Sequence, residues 1–420
     1  MTLTATVPRE MPDPLVTAIK AHLHALVDGC PDRHVGGAGN EHATAYVEAE
    51  LRRQGWEVSE AAFDAVDAKR GPARLTVAGR DVALLTGPYT LPVDVVAPLV
   101  VADSMATLEA TDVGGRIVLL HGDIARDQLL PRGFSFLDEP DHRRIYALLE
   151  DGGAVGIIGA TGRGGGMGGG LYPYPLIEDG DFDIPNAYVT DETGRRLAAF
   201  AGEEARLSIV SHRFPVRARQ LTAHRGPVDA ARVVVMAHLD SKEGSPGAVD
   251  NATGTAALLA IAEVLSSGDT RHRLEVLPLN GEDHYSVGGE HCFVAANEGR
   301  WDEIRLAINL DAVGARGAAT AVSLYGCPAD LAAHVATVMA RHPHTTMGEA
   351  WYESDHSIVA MRGRPTVALT STTFRELCAS VTHTDRDTLD LVAAEPVAAA
   401  AAFVADLVQS LPADARGPAT

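Results

Sequence analysis

The sequence of 420 residues predicts an α/β fold: a mostly parallel, mixed sheet flanked by helices. The first observation is a series of short apolar runs after Ala231, namely VVVMAH, RLEVLPLN, IRLAINLD, AVSLYG and PTVALT. Runs that are apolar throughout are typical of strands buried on both faces. The second observation is that helix-like segments alternate with these runs, at about 252–265, 288–297, 328–341 and 393–411. Such alternation is typical of a parallel sheet covered by helices.

The N-terminal segment adds two helices and a strand to this domain. Helix-like periodicity covers residues 14–28 and 41–54. The second helix is predicted to begin after Asn40 as its N-cap and to end at Gly55. The run WEVSEAAF that follows predicts a strand.

Residues 88–212 differ in character from both flanking parts of the chain. They are rich in glycine and proline and contain β-like runs such as VDVVAPLVVAD and GRIVLLHGD. A chain of this length is also long for a single hydrophobic core. We therefore predict a catalytic domain from residues 1–87 and 213–420, with a β-rich domain inserted at 88–212. The glycine stretch at 162–170 predicts a loop, which is either a spacer or a mobile flap.

Composition excludes several classes of partner. The net charge of −21 disfavours nucleic acid and anionic membranes, which both require a basic surface. The four cysteines have no CxxC spacing, so neither a disulfide framework nor a thiolate zinc site is predicted. The first residues show no secretory signal, and no apolar run reaches the length of a membrane span. We therefore expect a cytoplasmic protein, and a homodimer is compatible with this composition.

Histidine and carboxylate residues follow three successive predicted strands. Strand by strand, these residues are His238, Asp240 and Asp250, then Glu282 and Asp283, then Asp311. Ligands of open α/β sheets bind beyond the carboxyl ends of the strands, so these side chains are expected to converge. A later histidine, His383 in VTHTDRDT, is a candidate for the same place.

Imidazole and carboxylate are the donors that zinc takes in catalytic sites. A hydrolytic site with two metal ions ~3.5–4 Å apart needs a ligand that bridges them. A carboxylate bridges, whereas an imidazole normally does not. Asp250 is the best candidate bridge because it stands at the start of a predicted helix, where the helix dipole favours negative charge.

These motifs resemble the two-zinc exopeptidase family that contains bacterial leucyl aminopeptidases, plasma glutamate carboxypeptidase and, more distantly, glutaminyl cyclase. The motifs HLDS, PGAVDNATG, NGED, NLDAVG, SDHS at 354–357 and HTDRDT follow the family's order and approximate spacing. Residues 88–212 resemble a protease-associated domain through GGRIVLLHGD and GGAVGIIGAT.

The resemblance implies two Zn²⁺ ions per chain, which other divalent transition metals can replace. The implied ligands are His238, Asp250 and Asp311 for one ion and Asp250, Asp283 and His383 for the other. It also implies that Glu282 is the general base, that Asp240 orients His238, and that the Asp250–Asn251 peptide is cis. The family often has glutamate where Asp283 stands, so the second ion is expected to sit differently or to bind more weakly.

We therefore expect a metal-dependent hydrolase that cleaves a peptide or amide bond of a small peptide or amino-acid conjugate. An aminopeptidase is favoured over a carboxypeptidase, which needs a cation for the terminal carboxylate. The alternatives are acyl transfer of the glutaminyl cyclase type, a non-peptide amidohydrolase and a binding protein without activity, and the presence of Glu282 disfavours the last. The weaker candidates for substrate contact are His284, Tyr285, Asp355, His356, Tyr172 and Tyr174.

Overall fold

A computed structural model describes residues 14–134, 139–162, 171–177, 183–268, 270–284 and 287–412. It confirms the predicted α/β fold, with a large mixed sheet and flanking helices. The strands of the described part are β1 (Glu57–Val77), β2 (Arg80–Thr86), β3 (Val93–Ala102), β4 (Ile117–Leu120), β5 (Gly156–Thr161), β6 (Asn186–Thr190), β7 (Glu204–Arg225), β8 (Arg232–His238), β9 (Arg273–Leu279), β10 (Ile304–Leu310), β11 (Thr320–Tyr325), β12 (Thr345–Met347) and β13 (Thr366–Ser371). Its α-helices are α1 (Pro14–Val27), α2 (Ala38–Arg53), α3 (Met105–Ala110), α4 (Pro140–Glu150), α5 (Asp191–Ala198), α6 (Thr253–Ser266), α7 (Gly288–Ala296), α8 (Ala329–Met339), α9 (His356–Ala360), α10 (Phe374–Cys378) and α11 (Ala394–Ser410).

Four parallel strands form the centre of the C-terminal half. They lie in the order β9, β8, β10 and β13. Strand β7 pairs antiparallel with β9 on one side, and β11 pairs antiparallel with β13 on the other. In this register Val235 of β8 lies between Val276 of β9 and Ile308 of β10. The carboxyl ends of β8, β9 and β10 therefore reach the same edge of the sheet.

Strand β8 shows why these runs are apolar throughout. Val233 and Val235 belong to the core between the sheet and helices α1, α2, α6 and α11. Val234 and Met236 point to the opposite face and pack with Phe293 of α7. Successive side chains of a strand alternate between the two faces, and here helices cover both.

The segment Ala248–Ser266 is long and apolar enough to cross a membrane by composition. In the fold, however, 83% of its apolar window is buried, and its side chains pack in the main core. It is therefore a core helix of the α/β fold.

Helix α2 corrects one predicted boundary. Its N-cap is Gly37, so Asn40 lies inside the first turn instead of capping the helix. The buried Asn40 amide donates to the carbonyl of Arg33 (3.0 Å) and to Oδ1 of Asn280 (2.7 Å). Asn40 thus joins α2 to the end of β9. The predicted stop is confirmed, because Gly55 follows the helix with a φ of +84°.

The part of the chain predicted as an inserted domain has its own parallel strands, β3 to β6, and its own apolar cores. The long strands β1 and β7 pair with each other and reach two cores. Val58 and Ala223 pack in the main core, whereas Leu75 and Leu207 pack in the other. The predicted domain boundaries and the protease-associated character stay predictions, and residues 163–170 of the glycine stretch lie outside the described residues.

Candidate metal centre

The candidate ligands come together at the carboxyl edge of the parallel strands. His238 ends β8, and its Nε2 lies 3.1 Å from Oδ1 of Asp250 and 3.6 Å from Oδ1 of Asp311. His383, in the segment after α10, has its Nε2 3.4 Å from Oδ2 of Asp250 and 3.1 Å from Oδ1 of Asp283. The two oxygens of Asp250 thus face two different triads. We call His238, Asp250 and Asp311 the first triad, and Asp250, Asp283 and His383 the second triad.

Both triads fit a divalent cation. Within each, one donor atom per residue lies within 4.8 Å of the others. Nε2 of His238 and Oδ2 of Asp283 are buried and have no hydrogen-bond partner among the residues that the structure describes. Buried carboxylates and unpaired polar atoms are unfavourable unless a charge of opposite sign compensates them. Nitrogen and oxygen donors of this kind suit zinc, and the assignment of each ligand stays a prediction.

Glu282 lies beside the triads, on the loop that also carries Asp283. Its carboxylate, His238 and Asp283 also have donor atoms within 4.8 Å of one another. Burial raises the pKa of Glu282 well above its usual range, and the nearby Asp283 raises it further, whereas His238 lowers it. The group is therefore placed for proton transfer next to the candidate ligands.

The backbone around Asp250 is unusual. Residues Ala248–Ala252 form a turn before α6 in which Asp250 (φ −117°, ψ 90°) and Asn251 (φ −135°, ψ 43°) depart from helical geometry. The Asp250–Asn251 peptide is cis, which confirms the prediction drawn from the family resemblance.

Asp240 holds the loop that carries Glu282. Its Oδ1 accepts from the amide of Gly281 (2.7 Å) and its Oδ2 from the amide of Asp283 (3.0 Å), on either side of Glu282. Burial raises the pKa of Asp240 to about 6, although His238 opposes the shift. Oδ1 of Asp240 is 3.8 Å from Nδ1 of His238, which is too long for a hydrogen bond. The predicted role in orienting His238 stays a prediction, and the hydrogen bonds of the Asp240 carboxylate run to the Glu282 loop.

Asn251 braces the loop of Asp311 in a similar way. Its Nδ2 donates to the carbonyl of Leu310 (2.9 Å), and its Oδ1 accepts from the amide of Ala312 (3.2 Å). These two backbone groups flank Asp311. The fully buried Asn251 thereby ties the turn before α6 to the end of β10.

Asp387 braces the turn that carries Asp250. Its Oδ1 accepts from the amide of Val249 (2.7 Å) and its Oδ2 from the amide of Asp250 (2.9 Å). Burial raises the pKa of Asp387 to about 7, and the negative charge of Asp250 adds to the shift, while Arg33 opposes it. Since Asp387 follows His383 by four residues, one segment supplies both a candidate ligand and a brace.

Arg33 fixes the loop between His238 and Asp250. Its guanidinium is fully buried and donates to the carbonyls of Leu239 (3.0 Å), Pro246 (2.9 Å) and Gly247 (2.8 Å). Burial of a guanidinium cation is unfavourable unless its N–H groups find acceptors, and these carbonyls accept hydrogen bonds from them.

A cavity of about 490 Å³ opens above the triads, a size typical of small-molecule sites. Its floor includes Asp250, Glu282, Asp283, Asp311 and His383. Its apolar wall combines residues from distant parts of the chain, namely Leu129, Leu130, Pro131, Phe134, Met347, Trp351 and Phe374. Its charged wall consists of Lys242, Glu349, Glu353, Arg375 and Glu376.

The histidines predicted as substrate contacts do not line this cavity. Nε2 of His284 lies 3.0 Å from the carbonyl of Val66, and burial lowers its pKa to about 3. Nε2 of His356 lies 2.8 Å from the carbonyl of Trp351, and burial lowers its pKa to about 4. Both rings are buried next to backbone carbonyls, and a role of either in substrate contact stays a prediction.

Asp355, Tyr172 and Tyr174 are also not among the described residues that line the cavity. Asp355 is fully buried, and burial raises its pKa to about 7. Tyr174 is fully buried, with its hydroxyl near the carbonyl of Arg126, and Tyr172 donates to Asp191 (2.5 Å). The ring of Tyr174 lies in the interior, and contact of either tyrosine with substrate stays a prediction. Tyr285 lies outside the described residues.

Sequence reasoning missed Trp351, Phe134 and Lys242 as cavity residues. Trp351 stands three positions before the SDHS motif, and this proximity was a usable signal. Lys242 directly follows the HLDS motif, but nothing in the local pattern shows where its long side chain points. Phe134 belongs to the region predicted as an inserted domain and offers no local signal.

Comparison with known proteins finds a family match over part of the chain. Residues 221–408 match the model of Peptidase family M28. The probable lipoprotein aminopeptidase LpqL of Mycobacterium tuberculosis is 29% identical over 292 residues, which cover 66% of this chain. The match spans about half of that relative's length, 54%.

Solved structures show the same fold at low sequence identity. An aminopeptidase from Aneurinibacillus sp. strain AM-1 superposes with a TM-score of 0.73 at 19% identity, covering 94% of this chain and 93% of that one. The zinc aminopeptidase BSAP from Bacillus subtilis gives a TM-score of 0.69 at 20% identity, with 94% of both chains covered. The matched residues 221–408 contain both triads and Glu282. The candidate ligands and Glu282 therefore lie in the part of the chain that is similar to Peptidase family M28.

Proposed function

We propose that this protein is a metal-dependent aminopeptidase that removes the N-terminal residue from small peptides or amino-acid conjugates. The observation that carries the proposal is the pair of triads that share Asp250, beside Glu282, on the floor of a cavity of about 490 Å³. Two neighbouring cations need a carboxylate that bridges them. Hydrolysis also needs a group that transfers protons and does not itself bind a cation.

The triads would hold two divalent ions, whose positive charge would activate water and polarise the scissile carbonyl. Glu282 removes a proton from the attacking water and delivers it to the nitrogen of the departing amine. Asp240 keeps Glu282 in position, because it fixes the amides of Gly281 and Asp283 on either side. The buried setting of Glu282 strengthens its interaction with nearby charge.

The charges of the cavity wall support recognition of a free amine. Three glutamates of the wall, Glu349, Glu353 and Glu376, add negative charge to the carboxylates of the floor. Among the described residues that line the cavity, the lysine and arginine side chains are those of Lys242 and Arg375. Arg375 is mainly exposed and lies 4.0 Å from Glu349. An acidic wall favours an ammonium group over a terminal carboxylate. The apolar wall around Trp351 favours an apolar side chain next to the amine.

The two alternative enzyme activities would differ from an aminopeptidase in their products or substrates. Acyl transfer of the glutaminyl cyclase type would form a cyclic product without consuming water, and it usually goes with a single zinc site. The donor set for two cations supports hydrolysis instead. A non-peptide amidohydrolase would use the same residues on an amide that lacks a free α-amine.

A screen of metal-loaded protein tests this proposal. Aminoacyl, peptidyl and N-acyl amino acid substrates are incubated with protein reloaded with Zn²⁺, and the products are read by mass spectrometry. We expect release of free N-terminal residues from unblocked peptides and little release from N-acyl substrates. Elemental analysis of the same sample is expected to give more than one metal ion per chain. A metal content near zero after zinc supplementation would contradict the proposed site.

A further inference from the structure

Lys242 brings a cationic side chain to the second triad. Its Nζ lies 3.8 Å from Oδ1 of Asp283, and the two side chains are 12% and 2% exposed. The same Oδ1 lies 3.1 Å from Nε2 of His383. Lys242 therefore interacts with the carboxylate oxygen that the second triad offers to a cation.

The loop that carries Lys242 is held in place by buried contacts. The amide of Ser245 donates to the carbonyl of Lys242 (3.0 Å), and Oγ of Ser241 accepts from the amide of Arg33 (3.2 Å). The Arg33 guanidinium fixes the neighbouring carbonyls at both ends of this loop. The backbone at Lys242 is thus fixed close to Asp283.

A cation bound in the second triad would meet this ammonium at short range. Two like charges that approach the same carboxylate oxygen repel each other, and the repulsion is stronger in a partly buried site than in water. Asp283 is also one methylene shorter than glutamate, so its carboxylate has less freedom to turn away from Lys242. Both features weaken the second triad.

We propose that Lys242 lowers the metal affinity of the second triad, so that it fills only after the first triad is occupied. The inference rests on the proposed function, because it assumes that both triads bind metal. It implies that both triads are occupied only above a threshold metal concentration, and that the charge of Lys242 raises this threshold.

Metal titration of the apoprotein tests this without any activity measurement. The full chain is stripped of metal with a chelator, dialysed, and titrated with Zn²⁺ against a chromophoric competitor that resolves two dissociation constants. Wild type is compared with Lys242→Met and Lys242→Gln, which remove the charge, and with Lys242→Arg, which keeps it. Lys20→Met is the matched control, since it removes the same charge from an exposed pair with Glu395 on α11.

We expect the second dissociation constant to fall about tenfold or more in the Met and Gln variants, the size of effect that groups around metal ligands usually have. The first dissociation constant is expected to stay unchanged, which also reports that each variant is folded. The Arg variant and Lys20→Met are expected to match wild type. Two ions bound with unchanged or weaker second-site affinity in both neutral variants would overturn the role of Lys242 alone. No zinc bound by wild type would overturn the proposed function itself.

Discussion

Glu282 and Asp283 are adjacent in sequence, yet the proposed mechanism gives them different roles. Asp283 belongs to the second triad with His383, whereas Glu282 lies near His238 and is assigned to neither triad. Asp240 fixes the backbone on both sides of Glu282. This division permits an experiment that separates proton transfer from metal binding.

Glu282→Gln is expected to reduce kcat by at least about 100-fold, because the amide has nearly the same shape but cannot accept the proton. Metal content is expected to stay near the wild-type value, since the residue is not assigned to either triad. Steady-state kinetics and elemental analysis of the same preparation measure both quantities. Glu298→Gln, at an exposed position, is the matched control. Retention of most of the activity by Glu282→Gln would mean that another group moves the proton.

His34 provides a pH-dependent contribution to stability outside the metal centre. Burial lowers the pKa of His34, but its hydrogen bond to Asp32 (2.7 Å) and the charge of Asp67 outweigh burial and raise the pKa to about 8. The folded-state pKa is therefore above the ordinary value. The protonated form stabilises the fold below about pH 6.5, and this contribution disappears as pH rises through about 8.

His34→Gln is expected to lower the free energy of unfolding by up to about 2 kcal/mol at pH 6, and by little at pH 9. Urea unfolding of both proteins at the two pH values measures the difference. An equal loss at both pH values would show that the residue acts through packing and not through its charge.

At the scale of elements, side chains near one strand end form hydrogen bonds with the backbone next to the candidate ligands of another strand end. Asp240, after β8, holds the loop after β9. Asn251, before α6, holds the end of β10, and Asp387 holds the turn before α6. Helix α6 and the three strand ends therefore form one hydrogen-bonded unit, in which the position of each ligand depends on its neighbours.

Asn251→Ala is expected to weaken both the fold and metal binding. It leaves the carbonyl of Leu310 and the amides of Gly254 and Ala312 without partners in the interior, which costs about 1–3 kcal/mol for each group left unsatisfied. Because two of these groups flank Asp311, zinc affinity is expected to fall about tenfold or more. Chemical denaturation and zinc titration measure the two effects.

Asn297→Ala is the matched control for this experiment. Asn297 is also a buried amide, but it binds Arg232 at the beginning of β8, away from the strand end that carries His238. We expect a comparable loss of stability with unchanged zinc affinity. If both variants lost zinc affinity equally, the effect would be global and not due to the brace.

At the scale of the whole molecule, the cavity is bounded by two parts of the chain. Residues 128–131 and Phe134 come from the region predicted as an inserted domain, and Trp351 and Phe374 come from the C-terminal half. A space of about 490 Å³ accepts an amino-acid residue or a short peptide end. We do not expect a folded protein to bring an internal peptide bond to this floor.

We therefore expect hydrolysis of short peptides with a free N-terminus and no cleavage of casein. An otherwise identical peptide with an acetylated N-terminus is the control, and it is expected to be cleaved at least about 100-fold more slowly, because it lacks the ammonium group that the acidic wall pairs with. Mass spectrometry of timed digests distinguishes loss of terminal residues from internal cuts. Efficient internal cleavage of a long, end-blocked polypeptide would contradict the proposal.

The sequence by itself determined the fold class and the positions of the candidate ligands. Buried strands have a local signature, since both faces must be apolar, and the residues after those strands necessarily share one edge of the sheet. This is why the order of His238, Asp283 and Asp311 along the chain was enough to predict that they meet. The bounds of most helices followed from the same local periodicity.

Only the tertiary structure decided which side chains surround these ligands. Asn40 reaches Asn280 across 240 positions, and Lys242 approaches Asp283 because two loops meet. Tyr174 turns into the interior, while Phe134 reaches the cavity wall. Periodicity reports the face on which a residue lies within its own element, but contacts between loops depend on how distant elements pack. The braces and the cavity wall consist of such contacts, and no local pattern in the chain encodes them.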